Sequence, residues 1–221
     1  MKVIYIYDTL CGWCNVARPK IVELKAKIDE HNSKNPNNYI SFDAIHFNLF
    51  EKHHMPKLEG KFLEMVKDVA FNVSPKMNGG KFSQKYIDVM ASGDFIHNSD
   101  KSSLACTVMR EKLNFDDYFA FAMELQTLLF EEGVLIDDEK VLNDLSEKYG
   151  LDKDVFNDLL ISKEIMDIKN FNKSVASNYM NQLRVNGVPV LITEEGEEDN
   201  KNIDSLNPHN LEEVLSVLGI K

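Results

Sequence analysis

The sequence has no surplus of basic charge. It contains 25 lysine and arginine residues against 36 aspartate and glutamate residues, which leaves a formal net charge of −11. Nucleic acids and anionic membrane surfaces both favour proteins rich in lysine and arginine, because those side chains neutralise phosphate groups. The charge balance therefore argues against a nucleic-acid partner and against a membrane partner.

Long hydrophobic runs are also missing. The apolar stretch at 3–7 ends at Asp8, so it is too short for the apolar core of a signal peptide and far too short for a transmembrane helix. If Met1 is the natural start, this pattern predicts a cytoplasmic protein. With 43% hydrophobic residues in 221, the chain still has enough apolar side chains for a sizeable core.

Cysteine is scarce, with three residues in the whole chain. A secreted framework of disulfides would need an even and denser set. Cys11 and Cys14 stand within one helical turn of each other, whereas Cys106 stands alone. The feature to explain is therefore one close pair of thiols.

A strand, a helix and a second strand are predicted at the start of the chain. Residues 2–7 are β-branched and aromatic, which is typical of a buried strand. Apolar side chains then recur at helical spacing from Cys11 to about His31, with Pro19 as the one interruption. Residues 39–47 follow a turn and predict the second strand.

The end of the chain predicts two strands and a helix. Residues 185–193 form the first strand of this set, a short strand lies near Ile203, and the helix runs from about Pro208 to Leu218. A βαβ start and a ββα finish form one α/β domain when the two ends of the chain meet.

The middle of the chain is predicted to be almost entirely helical. Asp137 and Asp152 each precede apolar residues at helical spacing, so both are expected to be N-caps. The sequence therefore predicts an α/β domain formed by 1–48 plus 184–221, with an inserted helical domain at 49–183.

The position of the cysteine pair suggests a redox site. Cys11 opens a helix after a buried strand, where unpaired backbone N–H groups stabilise a thiolate. Cys14 is close enough to form a disulfide with Cys11 and is shielded by the helix, which suits a resolving thiol. Half of a zinc site remains an alternative, but it needs a second pair of ligands, and Cys106 stands alone.

A second motif lies far along the chain, in the letters NGVPV. Gly187 and Pro189 stand just before the predicted late strand and indicate a tight turn, in which the Val188–Pro189 peptide bond is a candidate for the cis form.

These motifs together resemble the thioredoxin superfamily. The resemblance rests on CGWC after a strand, on Pro19 in the following helix and on GVP before the late strand. The long helical insertion is similar to that of the DsbA-like branch. The opening D-x-x-C-x-W-C, the pair Ala105–Cys106 and the segments LQTLLFEEG and GLDKDVF resemble the cytosolic proteins of that branch that are known as predicted protein-disulfide isomerases.

The resemblance implies a thioredoxin-like fold and a thiol–disulfide oxidoreductase that works as a reductase or isomerase. It implies that Cys11 is the nucleophile, that Cys14 is the resolving thiol, and that Val188 and Pro189 form a loop that holds the substrate. It implies no cofactor. The expected partners are protein or small-molecule disulfides and dithiols, with glutathione or a thioredoxin-type protein as redox partner.

Two departures from the family pattern bear on the chemistry. The family commonly has a buried acid six positions before the first cysteine, and this chain has Tyr5 there. Asp8 is a candidate for proton transfer, although turn formation or capping is the more ordinary role for that residue type. Gly12–Trp13 between the cysteines lacks the histidine of the strong oxidants, so we expect a less oxidising pair.

Other readings stay open at this point. Trp13 either offers an aromatic surface to the substrate or packs on the insertion. Cys106 lies in an apolar helical segment and is expected to be a buried, inert thiol. The alternative function is a glutathione-dependent transferase or isomerase of the kappa-class or hydroxychromene-carboxylate isomerase type, and a metal-binding or chaperone-like module is the third reading.

Overall fold

The structure is a computed structural model, and it describes residues 1–51, 59–92, 95–196 and 201–220. Within these ranges four strands form one sheet in the order β2-β1-β3-β4. Strand β1 is parallel to β2 and antiparallel to β3, and β4 is antiparallel to β3. The strands are β1 Lys2–Tyr7, β2 Ser41–His46, β3 Val190–Glu195 and β4 Asn202–Leu206.

The described part of the chain contains nine α-helices, most of them between β2 and β3. None of them is both long enough and apolar enough to cross a membrane. The helices are α1 Gly12–Lys34, α2 Gly60–Asp68, α3 Gln84–Ala91, α4 Asp100–Lys112, α5 Phe115–Phe130, α6 Glu139–Lys148, α7 Lys153–Leu160, α8 Lys163–Leu183 and α9 Leu211–Val217. A π-helical turn at Val69–Val73 and a 3-10 turn at Pro75–Met77 follow α2.

The predicted fold class is confirmed. Both ends of the chain contribute strands to one sheet, and the helices inserted after β2 give the mixed α/β architecture. Strand β1 covers the predicted residues, and α1 continues through Pro19. Strand β3 begins at Val190, later than the predicted start at 185, because Gly187 has a left-handed backbone with φ of +92°, a conformation that extended strands do not contain.

One predicted helix cap is right and one is wrong. Asp152 is the N-cap of α7, as expected. The cap of α6 is Asp138 and not Asp137. The Asp138 carboxylate accepts hydrogen bonds from the backbone N–H groups of Lys140 at 2.8 Å and Val141 at 3.2 Å. Two adjacent aspartates have the same capping preference, and the backbone of the preceding turn selects between them.

The hydrophobic core is continuous between the sheet and the inserted helices. Tyr5 in β1, Cys14 in α1, Tyr86 in α3 and Phe121 in α5 are all buried in one cluster of contacting side chains. The two parts of the chain therefore stabilise each other through shared apolar contacts. The division into two domains stays a prediction.

A loop of the insertion lies directly on the first part of α1. The Gly80 N–H donates to the Asn15 carbonyl at 3.2 Å, and the Asn15 side-chain amide donates to the Lys81 carbonyl at 2.9 Å. A Cβ atom at Gly80 would lie 2.2 Å from that Asn15 carbonyl oxygen. Glycine is therefore required where the insertion touches the helix that carries the cysteine pair.

Candidate active site

Cys11 stands at the junction of the turn after β1 and the first turn of α1. It is the N-cap residue of α1, with an extended backbone and a side chain only 4% exposed. Its N–H donates to the Asp8 carbonyl at 3.2 Å, and its own carbonyl accepts from the Asn15 N–H at 3.1 Å. The first turn of α1 has no acidic side chain, so no carboxylate there competes with a thiolate for the helix N–H groups.

The loop before β3 meets Cys11 from the other end of the chain. The Cys11 thiol donates to the Val188 carbonyl at 3.3 Å, across 177 positions of sequence. The Val188–Pro189 peptide bond is cis. The fold therefore brings Val188 of this loop to Cys11, and Pro189 follows it in the chain.

Cys14 lies one turn along α1 and is fully buried. Both Cys11 and Cys14 are free thiols. Burial raises the pKa of Cys14 well above its ordinary value, and the adjacent Cys11 thiol raises it further. The Cys14 thiol therefore holds its proton more tightly than a thiol in water, because a buried thiolate has lost its hydration.

Tyr5 lies in β1 beside Cys14, where the family resemblance leads one to expect an acid. Its side chain is fully buried and its ring stacks on Tyr7, with centroids 5.4 Å apart. Among the described residues its hydroxyl has no well-formed hydrogen bond. Burial raises the pKa of Tyr5 well above its usual value, and Cys14 and then Cys11 add to this effect. A neutral hydroxyl without a well-formed hydrogen bond therefore lies beside the resolving thiol.

Asp8 is fully buried, and its carboxylate is occupied by the surrounding structure. One oxygen accepts from the Leu10 N–H at 2.7 Å. The other accepts from the Leu49 N–H and from the Ser99 hydroxyl, both at 2.7 Å. These contacts favour the turn-forming role for Asp8, and its role in proton transfer stays a prediction.

Trp13 is 39% exposed. Its ring meets the edge of His209 at a centroid distance of 5.9 Å. His209 follows β4, so this contact is not with the insertion. The partly exposed ring beside Cys11 leaves substrate contact open to Trp13.

Cys106 lies apart from the pair, in α4. It is buried and accepts a weak hydrogen bond from the Tyr7 hydroxyl at 3.7 Å. Burial raises the pKa of the Cys106 thiol to about 12. The predicted burial is confirmed, and a thiol that stays protonated is a poor nucleophile. The described residues contain no cluster of three or more histidine, cysteine or acidic side chains suited to a metal ion.

A cavity of about 220 Å³ opens beside Cys11. The inserted helices contribute residues to its wall that carry no signal in the sequence. His97 is one of them, with a side chain only 4% exposed. Of its apolar neighbours in the sequence Phe95 is buried and Ile96 is exposed, so the local pattern does not predict the burial of His97. The lining residues are Leu10, Cys11, Gly12, Trp13, Leu49, Phe50, Phe62, Met65, Val66, Val69, Phe82, Tyr86, His97, Gly187 and Val188.

The family comparison covers nearly the whole chain. The model of the DSBA-like thioredoxin domain matches residues 2–216. A search of curated protein sequences found no match.

Several solved structures share the fold. The cytosolic disulfide reductase DsbM from Pseudomonas aeruginosa, solved with GSH, superposes with a TM-score of 0.71 at 19% identity, over 98% of each chain. A predicted protein disulfide isomerase from Nitrosomonas europaea superposes with a TM-score of 0.67 at 14% identity, over 99% of this chain and 95% of that one. A 2-hydroxychromene-2-carboxylate isomerase gives 0.54 at 14% identity, over 99% and 95%. At these identities the likeness concerns the fold.

Proposed function

The chain belongs to the family of DSBA-like thioredoxin domains, and on that premise we propose that it is a thiol–disulfide oxidoreductase that acts through Cys11 and Cys14 as a disulfide reductase or isomerase. One observation carries the proposal. The Cys11 thiol, at the start of α1, lies 3.3 Å from the Val188 carbonyl, with the buried Cys14 thiol one turn behind it. In this arrangement the Cys11 sulfur attacks the substrate, and the buried Cys14 sulfur is available to attack the mixed disulfide.

In the reducing direction the Cys11 thiolate attacks one sulfur of a substrate disulfide. A mixed disulfide forms, the substrate S–S bond breaks, and one substrate thiolate leaves. Cys14 gives its proton to that thiolate and then attacks the Cys11 sulfur. The second substrate thiolate leaves, and the Cys11–Cys14 disulfide forms. The substrate gains the two electrons that the enzyme dithiol loses, and an external thiol restores the dithiol.

The second attack is the step that the burial of Cys14 makes slow. Because burial raises the pKa of Cys14, its thiolate is a minor species at neutral pH. The Tyr5 hydroxyl has no well-formed hydrogen bond in the dithiol form, so it is free to donate one to the Cys14 thiolate when that forms. We assign to Tyr5 a positioning role in the resolving step.

The loop at Val188 and Pro189 and the ring of Trp13 form the substrate contact in this proposal. Backbone hydrogen bonds from the loop hold a substrate chain with little sequence selectivity. Protein or small-molecule disulfides are the substrates, and a glutathione-type or thioredoxin-type thiol restores the dithiol; the neighbour solved with GSH supports this choice. We place the protein in the cytoplasm, where the thiol pool keeps such a pair reduced.

Insulin reduction tests the proposal with single variants of each cysteine. Cys11→Ser removes the nucleophile and abolishes activity. Cys14→Ser leaves the mixed disulfide unresolved, so a covalent adduct of substrate and enzyme accumulates and disappears on treatment with dithiothreitol. Cys106→Ala is the matched control, because it removes a buried thiol outside the pair, and it keeps wild-type activity. A wild type that reduces no disulfide, or full activity in both pair variants, refutes the proposal.

A glutathione-dependent transferase or isomerase is the alternative, and the fold shared with the hydroxychromene-carboxylate isomerase supports it. Such an enzyme needs one activating residue near Cys11 and gives Cys14 no chemical role. Conjugation of glutathione to an electrophile that survives in Cys14→Ser would favour this alternative over the oxidoreductase.

A further inference from the structure

The dipeptide Asn–Gly occurs twice in this chain, at Asn78–Gly79 and at Asn186–Gly187. In this dipeptide the backbone nitrogen of glycine can attack the side-chain carbonyl of asparagine, because glycine has no Cβ that hinders the approach. A cyclic imide forms and ammonia leaves. Water then opens the imide to aspartate or isoaspartate, so a neutral amide becomes a carboxylate. The two positions share this chemistry, and their structural surroundings decide which of them reacts.

The structure restrains Asn78–Gly79 at both residues. The Gly79 N–H donates to the Ser74 carbonyl at 2.9 Å, and the Asn78 N–H donates to the Pro75 carbonyl at 3.3 Å. A Cβ atom at Gly79 would lie 2.6 Å from the Ser74 hydroxyl oxygen and 2.8 Å from the Val16 carbonyl oxygen. The nitrogen that must attack is therefore hydrogen-bonded and closely packed, and imide formation first has to break this contact.

Asn186–Gly187 lies in an open segment between α8 and β3. Residues 185–189 belong to neither a helix nor a strand, and Asn186 is exposed. An added Cβ at Gly187 would meet no described atom within 4 Å, and no described residue accepts a hydrogen bond from the Gly187 N–H. Ring closure at Asn186 therefore breaks no secondary structure and displaces no described neighbour.

Asn186 also stands next to the loop that meets Cys11. Gly187 and Val188 line the cavity beside Cys11, and the Val188 carbonyl lies 3.3 Å from the Cys11 sulfur. Because each residue spans at most about 3.6 Å of chain, the backbone of Asn186 lies within roughly 13 Å of that sulfur. A carboxylate at this position therefore acts on charged substrates that approach Cys11.

We infer that Asn186–Gly187 is a site of spontaneous covalent modification, at which loss of the Asn186 amide places a negative charge beside the substrate loop and disfavours anionic disulfides. The modification itself needs only water, whereas its effect on substrates rests on the proposed function. Glutathione disulfide has a net charge of about −2 near neutral pH, and bis(hydroxyethyl) disulfide is uncharged. Coulomb's law at this distance in water gives about a threefold loss of preference for the anionic substrate.

Incubation of the folded, reduced protein at mildly alkaline pH tests the site without any redox step. Peptide mapping by mass spectrometry follows both asparagines, and Asn78 is the matched control with the same dipeptide in the same chain. Release of Gly79 costs one hydrogen bond, so we expect Asn186 to deamidate at least about fivefold faster than Asn78. In urea this difference narrows, because both sites lose their surroundings. The inference is wrong if Asn78 reacts as fast as Asn186 in the folded protein, or if Asn186 stays intact there.

The variant Asn186→Asp supplies the new charge directly, and anion exchange isolates the aged wild type, which is one charge more negative. We expect both to show about a threefold lower ratio of kcat/KM for glutathione disulfide to that for bis(hydroxyethyl) disulfide at low ionic strength. In Asn186→Asp the loss disappears at about 1 M salt, where the screening length is about 3 Å. Asn186→Gln keeps the wild-type ratio and forms no product at 186, because its longer side chain closes the ring poorly.

Further outcomes separate the modification site from the redox site. A wild type that deamidates at Asn186 but reduces neither disulfide refutes the oxidoreductase and keeps the modification site. A wild type that reduces both disulfides while Asn186 stays intact refutes the modification site alone. A wild-type ratio in Asn186→Asp, or a loss that salt does not reverse, refutes the electrostatic effect on substrates.

Discussion

Tyr5→Phe is predicted to make the protein more stable and a worse enzyme. The substitution removes one oxygen atom and keeps the ring that stacks on Tyr7. In the dithiol form that oxygen is fully buried and has no well-formed hydrogen bond among the described residues. Its polar neighbour is the Cys14 thiol, a weak acceptor, so little in the resting protein offsets the loss of its hydration.

The substitution is expected to raise the stability of the protein and to lower the rate of the resolving step, by different amounts. A buried polar group without a partner costs about 1–3 kcal/mol, so its removal is expected to raise the free energy of unfolding by about 1 kcal/mol and Tm by about 2–4 °C. A hydrogen bond to a charged group contributes about 1.5–3 kcal/mol. Loss of the bond from Tyr5 to the Cys14 thiolate is therefore expected to slow the resolving step by about tenfold or more.

The aromatic disulfide dithionitrobenzoate separates the two chemical steps in one trace. Attack by Cys11 releases the first coloured thiolate, and attack by Cys14 on the mixed disulfide releases the second. We expect Tyr5→Phe to leave the first phase unchanged and to slow the second. Because the pKa of Cys14 is raised, the second phase becomes faster with rising pH in both proteins.

Tyr7→Phe is the matched control on the same strand. The Tyr7 hydroxyl lies 3.1 Å from the Tyr118 hydroxyl and donates to Cys106, so its loss is expected to destabilise the protein by about 0.5–1.5 kcal/mol and to leave both phases unchanged. The reasoning on Tyr5 is refuted if Tyr5→Phe lowers Tm, or if its second phase keeps the wild-type rate.

Three further predictions concern stability and reactivity. Gly80→Ala places a methyl group against a backbone carbonyl. It is expected to lower the free energy of unfolding by about 1–3 kcal/mol, measured in urea. At Gly150 an added Cβ meets no atom within 4 Å, so Gly150→Ala reports the cost of positive φ alone. His97 has a pKa lowered to about 4 in the folded protein, against about 6.5 in the unfolded chain. The stability that its neutral imidazole contributes is therefore complete above about pH 6.5, and it is lost as the pH falls from about 6.5 to about 4, by at most about 1.4 kcal/mol per pH unit. In His97→Phe this loss is smaller. Cys106 is expected to resist iodoacetamide in the folded protein and to react after unfolding, whereas Cys11 reacts in the folded state.

Each of these has a clear contradicting result. Wild-type stability in Gly80→Ala would show that the contact with α1 is not tight, because Gly80 is not among the glycines with positive φ. The same acid dependence in His97→Phe and in the wild type would place the titrating group elsewhere, and the buried His46, whose pKa is also lowered, is the next candidate. Alkylation of Cys106 at the rate of Cys11 would contradict its burial.

Much of the fold was predictable because its signals are local. The β-branched run at 2–7 specifies a buried strand by itself, and the first cysteine opens the helix that follows. The sequence predicts too early a start for the late strand, since the turn at Gly187 and Pro189 occupies residues that look extended in sequence. The sequence predicts the cap of α6 one residue too early, because adjacent aspartates share one preference and only the turn geometry separates them.

The sequence by itself determined the chemistry that is available: two thiols within one helical turn, the first of them at a helix start, and a proline-containing loop before a strand. The tertiary structure alone decided what surrounds those thiols. The Val188 carbonyl reaches Cys11 across 177 positions. The Tyr5 hydroxyl lies beside Cys14 without a well-formed hydrogen bond, and His97 lines a cavity that no local pattern indicates. The physical reason is that residue spacing specifies backbone conformation over a few residues, whereas burial and pairing depend on how the inserted helices pack on the sheet.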